Sequence, residues 1–318
     1  MKPQVQNQST KNDPILKALP AACSDEKAAV EFMEKQRWGN SPACPRCGDL
    51  AVYQMKDSKT GKRQANYRWR CHGCKEQFTV RIGTVFEESR IELRHWCFAF
   101  WRASTSKKGV SALEIHRQTG VSYKSSLFMM HRIRFAMSDD GTTPLSGDVE
   151  VDELFVGGVP RRRNNSRKAD GRQKKSVVIG LKERGGRVRP RVIPNVTGAT
   201  LKNVIRANVA PTARILTDEW SGYRGIGKEF AGGHETVRHS SHEYVRGDVH
   251  TNSIEGFFGM IRRGLDGIYH SVSHKHLHRY LSEFQFRHDH RELGDGERTQ
   301  QAIRAANGKR LMYKEVLG

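Results

Sequence analysis

The sequence predicts an α/β protein in which a strand-and-helix domain follows a four-cysteine module and a helical segment. Three observations predict this order. Two CxxC pairs, CPRC and CHGC, occur in the first quarter of the chain. Helical patterns without strand-like runs fill residues 90 to 138. Beyond residue 145, strand-like runs rich in β-branched residues alternate with helical segments.

The composition limits the class of partner. With 55 Lys and Arg against 34 Asp and Glu, the 318-residue chain carries a formal charge of +21. That charge favours a polyanion, and nucleic acid over a membrane, as the large partner. No apolar run approaches the length of a bilayer span, and the polar N-terminus lacks the apolar middle of a signal peptide. We therefore expect a soluble, cytoplasmic protein that associates with the nucleoid and not with a membrane.

The N-terminal part is predicted to be a tail followed by a helix. Residues 1–23 are polar and without period, which predicts a flexible tail. The stretch SDEKAAVEFMEKQRW predicts a helix with Ser24 as N-cap and Gly39 as its stop. This helix and the cysteine module are expected to form one domain over residues 24–88.

The cysteines predict a metal site. Two CxxC pairs separated by a hairpin-like stretch can close four thiolates tetrahedrally round one Zn²⁺, and Cys23 and Cys97 are left over. Four unliganded cysteines fit the spacing less well. Four thiolates leave no open position for water, so the zinc is predicted to be structural. The predicted ligands are Cys44, Cys47, Cys71 and Cys74.

Residues 89–140 are predicted to form a helical, DNA-binding segment. SALEIHRQTG and VSYKSSLFMMHRIRFAM give a short helix, a turn at Gly120 and a longer helix, which is the outline of a helix-turn-helix. If it binds a major groove, Tyr123, Lys124 and Ser125 of the second helix face DNA. A plain helical hairpin packed on its neighbours is the alternative.

The domain over residues 145–292 is predicted from its order of elements. DVEVDELFVGG, KKSVVIGLKER and RVRPRVIPNV are strand-like; TGATLKNVIRANV is helical; ARILTDEW and HETVRHSS are two further strand-like runs before a helix. This is the order of the RNase H-like α/β fold, in which the first and fourth strands are neighbours. Asp152 and Asp218, each predicted at the end of a strand, could then meet. Residues 293–318 are predicted to be a C-terminal tail.

A basic insertion lies between the first two strands of this domain. Residues 160–175 carry eight positive charges and one negative charge. A solvated loop and a DNA-phosphate contact are both compatible with such a run. The predicted DNA-binding residues are Arg161, Arg162, Arg163, Arg167, Lys168, Arg172, Lys174 and Lys175.

The stretch HTNSIEGFFGMIRR predicts the helix that completes a site. Helical spacing places Asn252, Glu255 and Arg262 on one face and the large apolar residues on the other. A solvated polar face is the alternative for this stripe alone. Together with Asp152 and Asp218, however, a helix carboxylate makes three acids, which suits an oxygen-ligand metal site. The histidines between residues 270 and 278 are interpreted as basic residues beside DNA, because their spacing does not bring four imidazoles to one point.

Several motifs of the chain resemble those of a known family. CPRC and CHGC, VEVDELFVGG, LTDEWSGY, HTNSIEGFFGMIRRG and YHSVSHKHLHRYLSEFQFR occur in this order over residues 25–292. They are similar to the signatures of bacterial insertion-sequence transposases of the DDE type, in the ISXO-type subgroup with an N-terminal zinc ribbon. The resemblance implies a metal-dependent recombinase that binds the terminal inverted repeats of its element, cuts the DNA and joins the ends to a target.

The resemblance also implies roles for residues. Asp152 and Asp218 match the first two ligands of two Mg²⁺ or Mn²⁺ ions. For the third ligand the chain offers Asn252 and Glu255; Glu255 is favoured because a third anion binds divalent metal better, and Arg262 then falls where such transposases keep a basic residue. Synapsis of two double-stranded ends implies a homodimer or larger assembly. Two rival functions are a zinc-ribbon regulator with an inactive RNase H-like domain and a nuclease that cuts without joining.

Overall fold

The computed structural model describes residues 12–157, 175–241, 243 and 245–317. They divide into two compact units, one comprising the chain up to Ser138 together with the segment from His290 onward, and the other Asp139–Asp289. The second unit therefore lies between two parts of the first in the sequence. No described helix combines the length and the apolar character needed to cross a bilayer.

The first unit begins with two helices, α1 (Pro14–Ser24) and α2 (Glu26–Trp38). The prediction of a flexible tail is wrong for the residues from Pro14 onward: Asp13 caps α1 by accepting hydrogen bonds from two backbone N–H groups, and the helix buries Leu19. The N-cap of α2 is Asp25 and not the predicted Ser24, which is the last residue of α1. The few apolar residues of α1, among them Leu19, are enough to pack this helix although the N-terminal stretch as a whole is polar.

The cysteine module contains a small antiparallel sheet with the order β1 (Val52–Gln54), β2 (Trp69–Cys71), β3 (Gln77–Phe78). The first two strands form the predicted hairpin. Trp69 and Phe78 pack with two cysteines in a buried cluster, and Trp38 of α2 packs edge-on against both rings.

Three helices follow: α3 (Leu93–Thr105), α4 (Ala112–Thr119) and α5 (Tyr123–Ala136). Gly120 ends α4 with φ +74°, a left-handed conformation that glycine adopts without the usual steric cost. Ser122 caps α5 two residues later. The helices and the turn between them are where the sequence predicts them.

The second unit is built on a five-stranded sheet. Its strands are β4 (Asp148–Val156), β5 (Ser176–Glu183), β6 (Val188–Ile193), β7 (Arg214–Thr217) and β8 (His234–Thr236). The order is β6-β5-β4-β7-β8. β4 pairs antiparallel with β5 and parallel with β7, so the first and fourth strands of the unit are neighbours, as predicted.

Helices cover both faces of this sheet. α6 (Gly198–Asn208) packs on the face that buries Val149 and Val151 of β4. α7 (Asn252–Gly264) packs on the opposite face over Leu154 of β4, and a π-helical turn at Leu265–Tyr269 joins it to the region before α8 (Leu277–Asp289). Strand alternation therefore assigns the even-numbered residues of the middle of β4 to the α7 face.

The end of the chain belongs to the first unit. The prediction of a tail over residues 293–318 is wrong, because the segment contains α9 (Asp295–Arg304) and α10 (Tyr313–Leu317). α9 buries Thr299, whose hydroxyl lies 3.0 Å from that of Ser104 in α3. Only a few apolar residues of α9 are buried, so the mostly polar composition of the segment gave no sign that one face of the helix is packed.

Candidate active site

The strand register brings Asp152 and Asp218 to the same edge of the sheet. In the parallel pair of β4 and β7, Asp148 is level with Arg214 and Glu150 with Leu216, an offset of 66 residues. The same offset relates Asp152 to Asp218. Hydrogen-bonded pairing with β7 stops at Glu150, so the two aspartates lie just beyond the end of the parallel ladder.

The two aspartates occupy different backbone settings. Asp152 lies in the middle of β4 and not at its end as predicted, because β4 continues to pair with β5 as far as Val156. Asp218 directly follows β7, and its Oδ1 accepts a hydrogen bond of 3.0 Å from the N–H of Trp220. Both side chains are half-buried.

A third acid, Glu153, lies beside them and was not singled out by the sequence. Burial raises the pKa of Glu153 to about 7; the Tyr223 hydroxyl, which donates to Glu153, lowers it, and the charges of Asp152 and Asp218 raise it. The same two aspartates act on Tyr223, whose pKa burial raises well above its usual range. Both aspartates are therefore close enough to Glu153 and Tyr223 to act on them electrostatically. The sequence feature that could have indicated Glu153 was strand alternation, which places this acid on the α6 face of β4 together with buried Val151.

Helix α7 presents the predicted polar face. Asn252, Glu255 and Arg262 are exposed, whereas Ile254 and Phe258 are buried in the sheet-facing cluster. The predicted division of the helix into two faces is therefore confirmed. Glu255 accepts a hydrogen bond of 3.0 Å from the hydroxyl of Thr251, which orients its carboxylate at the start of the helix.

Gly180 lets α7 approach the sheet beside Asp152. Gly180 of β5 is the cross-strand partner of Asp152. A Cβ atom at Gly180 would lie 2.6 Å from Ile254 Cδ1 and 2.6 Å from Phe258 Cζ, closer than van der Waals contact allows. The helix therefore passes directly over the residue opposite Asp152.

Buried Glu150 fixes the start of α7 on the same strand. Its carboxylate accepts hydrogen bonds from the backbone N–H groups of Ser253 and Ile254, at 2.9 and 3.0 Å, and from Arg184 Nε at 2.9 Å. α7 then runs in the direction of β4, since Arg262 lines a groove with Leu154 and the residues that end β4. The first turn of α7, with Asn252 and Glu255, is consequently near the level of Asp152.

The carboxylates of Asp152, Asp218 and Glu255 are not gathered into one tight cluster. Within the described part of the chain, the four cysteines are the one group of three or more potential ligands whose donor atoms all lie within 4.8 Å of one another. Asp152 and Asp218 share the sheet edge, and Glu255 lies on the adjacent helix, where Thr251 holds it. No second metal cluster forms among the described histidines either.

The cysteine cluster has the dimensions of a tetrahedral zinc site. Cys44 Sγ and Cys74 Sγ are 3.7 Å apart, and Cys47 Sγ and Cys71 Sγ 3.6 Å. Four sulfurs at the usual Zn–S distance of about 2.3 Å would be separated by about 3.8 Å. Burial raises the pKa of Cys44, but backbone N–H groups of the knuckle outweigh it and lower the pKa to about 7, which favours a thiolate there. Backbone N–H groups also lower the pKa of Cys71 and of Cys74, but burial and the neighbouring thiols outweigh them, so both pKa values are raised.

The predicted DNA-binding residues fall into two groups. Tyr123 and Lys124 are exposed at the start of α5, while Ser125 is half-buried and its backbone N–H is capped by Ser122. The ammonium of Lys124 lies 5.4 Å from the ring centre of Tyr313 in α10. Lys175 is exposed before β5. The other residues of the basic insertion lie outside the described residues: Arg161, Arg162, Arg163, Arg167, Lys168, Arg172 and Lys174.

The chain joins a four-cysteine ribbon to a mixed sheet with two aspartates at one edge, and comparison with known proteins gives the class as a zinc-ribbon transposase. Residues 144–289 match the family described as ISXO2-like transposase domain, and residues 24–77 match the transposase zinc-ribbon domain. The chain belongs to this family of insertion-sequence transposases.

Two relatives extend the match. A protein of Halobacterium salinarum, described as an uncharacterized protein in transposable element ISH50, is 29% identical over 279 residues, covering 83% of this chain and 91% of the relative. An uncharacterized transposase-like protein of Haemophilus influenzae is 30% identical over 103 residues, covering 32% of this chain and 80% of the relative.

Proposed function

We propose that the protein cuts the ends of its own insertion sequence and joins them to target DNA, using a divalent-metal site held by Asp152, Asp218 and Glu255. The register that makes Asp152 level with Asp218 is the observation that carries this proposal. Two acids from neighbouring parallel strands and one from a helix on the same sheet are a suitable set of oxygen ligands for Mg²⁺ or Mn²⁺. The strand order is that of the RNase H-like fold, which we propose for this unit.

The residues present fit such ions. Each aspartate uses one Oδ1 to accept a backbone hydrogen bond, from Glu153 N or Trp220 N, which orients the carboxylate. When bound, two divalent ions would supply charge stabilisation to the attacking and leaving oxygens of a phosphodiester. Exposed Asn252 is suited to orient a water molecule or to ligate, and exposed Arg262 to contact a phosphate of the bound strand.

The reaction has two steps in one site. In the first, water attacks a phosphodiester at the element end; the P–O bond to the 3′ oxygen breaks, which leaves a 3′-hydroxyl and a 5′-phosphate. In the second, that 3′-hydroxyl attacks a target phosphodiester, and the target strand loses its own 3′ oxygen as the leaving group. No residue of the protein forms a covalent bond to DNA.

DNA binding is assigned to the first unit and to the basic insertion. The zinc ribbon with one structural Zn²⁺, the start of α5 at Tyr123 and Lys124, and the charges of residues 160–175 supply cationic contacts to duplex DNA. Holding two ends together requires at least two copies of the chain. The proposed substrate is double-stranded DNA, the element ends and the target, and a cytoplasmic location at the nucleoid is part of this proposal.

The test is a strand-transfer assay with purified protein, Mg²⁺ and a labelled terminal fragment of the element. We expect nicked and joined products from the wild type. Asp152→Asn and Asp218→Asn should retain fragment binding and lose cleavage by at least about a hundredfold. Cleavage by either variant at the wild-type rate would contradict the assignment. Binding without cleavage by the wild type would support a regulator, and cutting without joined products a nuclease.

A further inference from the structure

An unassigned groove follows Asp152 on the α7 face. The cavity has a volume of about 380 Å³ and lies between the end of β4 and the π-helical turn after α7. Its lining includes Leu154 and Val156 of β4 and Leu265 and Val272 of the opposite wall. The volume is within the range of about 300 to 1,000 Å³ typical of sites for small molecules or single nucleotides.

Polar side chains surround this apolar floor. Arg262, Asp266 and His270 are exposed and line the groove. Among the described residues, none forms an ion pair or hydrogen bond with these three side chains, even though Arg262 and Asp266 are one helical turn apart. A cation, an imidazole and a carboxylate around an apolar floor can contact a phosphate and the polar edge of a base.

The backbone on this side of the groove is unusual. Leu265–Tyr269 is a π-helical turn, a form that is rare and frequent at functional sites. It ends at His270, which has φ +56° and ψ −41°, a positive-φ conformation that costs a non-glycine residue free energy. A hydrogen bond to α8 stabilises this turn, because the Tyr269 hydroxyl donates to the buried carboxylate of Glu283 at 2.7 Å.

We propose that this groove binds one unpaired nucleotide of the DNA end, with its base on the apolar floor and its phosphate against Arg262 and His270. The inference rests on the proposed function, since the groove begins two residues after Asp152 on the same strand face. A DNA strand bound in the groove would extend away from the carboxylates of the proposed metal site, in the direction of β4. Enzymes that do chemistry on a base take that nucleotide out of the stack into a fitted pocket, so a protein pocket can hold a single unstacked nucleotide.

The experiment measures binding without chemistry, in full-length protein carrying Asp152→Asn. Terminal fragments of the element, each with 2-aminopurine at one position near the end, are titrated with protein; the fluorescence rises when that base is unstacked. We expect a rise at one position. A fragment with one unpaired nucleotide at that position should bind about fivefold or more tightly than the fully paired fragment, which is the lower end of the effect of packing one base.

Two variants test the groove itself. Ser271→Trp fills it, since Ser271 is an exposed lining residue, and should remove both the fluorescence rise and the preference for the unpaired fragment. Ser273→Trp is the matched control, because Ser273 is exposed two residues further on and does not line the groove. His270→Gly is a second variant that removes the imidazole while glycine accepts the positive φ; it should weaken the preference.

The outcomes separate this inference from the proposed function. The proposal that the groove binds a nucleotide would be overturned if no position showed a fluorescence rise, even if the wild type cuts the fragment. It would also be overturned if Ser271→Trp retained the preference for the unpaired fragment. If Ser271→Trp does not fold, retention of the preference by His270→Gly would have the same meaning. A rise and a preference that depend on the groove, in a protein whose wild-type form does not cut, would support the groove and contradict the transposition chemistry.

Discussion

The carboxylate of Glu150 accepts a 3.0 Å hydrogen bond from the backbone N–H of Ile254, across the boundary between β4 and α7. Glu150 is fully buried and also binds Arg184 Nε, while Arg184 donates to the carbonyl of His250. An anion at a helix N-terminus complements the free N–H groups and the helix dipole. The strand that carries Asp152 thus holds the helix that carries Glu255.

Replacing Glu150 should loosen this connection. Glu150→Ala leaves two N–H groups and Arg184 without their buried acceptor, so we expect a loss of about 3 kcal/mol in the free energy of unfolding. Urea denaturation measures it. Glu229→Ala is the control: Glu229 pairs with Arg206 at the solvent-exposed surface, and its loss should change the midpoint little. Equal midpoints for the two variants would contradict a special role of Glu150.

Gly180 should not tolerate a side chain. In Gly180→Ala the methyl group meets Ile254 and Phe258 at 2.6 Å, so α7 must move away from Asp152. We expect a destabilisation of about 1–3 kcal/mol together with a loss of DNA cleavage. Gly256→Ala, within α7 and with nothing near the new methyl group, should instead stabilise by about 0.5–1 kcal/mol. Thermal unfolding of both variants compares the two effects, and a stable, fully active Gly180→Ala protein would count against the packing argument.

The choice of third metal ligand predicts different metal dependences. Glu255→Gln removes a negative charge from the proposed site, so the Mg²⁺ concentration for half-maximal cleavage should rise by about tenfold or more. Asn252→Ala should lower the rate with a smaller shift in that concentration. Cleavage measured over a Mg²⁺ titration separates the two. The opposite pattern would make Asn252 the ligand.

Removal of zinc should unfold the ribbon and spare the second unit. Cys71→Ser breaks the four-sulfur set, and we expect no bound zinc, loss of hydrogen-exchange protection in residues 40–80 and weaker binding to the element end. Cys23→Ser is the matched control, since Cys23 lies outside the cluster and should leave one zinc per chain. Metal analysis of the purified variants gives the stoichiometry. Zinc retained in full by Cys71→Ser would contradict the tetrahedral site.

Asp139 should link stability to acid pH. Burial raises the pKa of Asp139, but the N–H of Gly141 and the guanidinium of Arg189 together lower it by more, so the pKa lies below its ordinary value. Because the folded pKa is depressed, this stabilisation is present above the ordinary aspartate value and is lost as the pH falls below about 4. Asp139→Asn should cost about 2 kcal/mol at pH 7 and less at pH 3, as measured by urea midpoints. A cost independent of pH would show that the charge is not involved.

Much of the site could be predicted from local pattern. The faces of α7, the cysteine pairs and the succession of strands along the chain follow from spacing and alternation, which the backbone enforces within a few residues. Glu150 and Glu153 could not be recognised in the same way. Both are acids within a strand, and their roles depend on partners more than 65 residues away, Ile254 and Tyr223 respectively.

The sequence by itself determined which residues are helical, which are extended and which four sulfurs could share a metal, because period and spacing act locally. It failed at both ends of the chain, where polar composition concealed helices whose few apolar residues are buried only by distant partners. The tertiary structure alone decided the rest: the parallel register that makes Asp152 level with Asp218, and the absent side chain at Gly180 over which α7 passes. These depend on contacts between segments far apart in the chain, which no local pattern encodes.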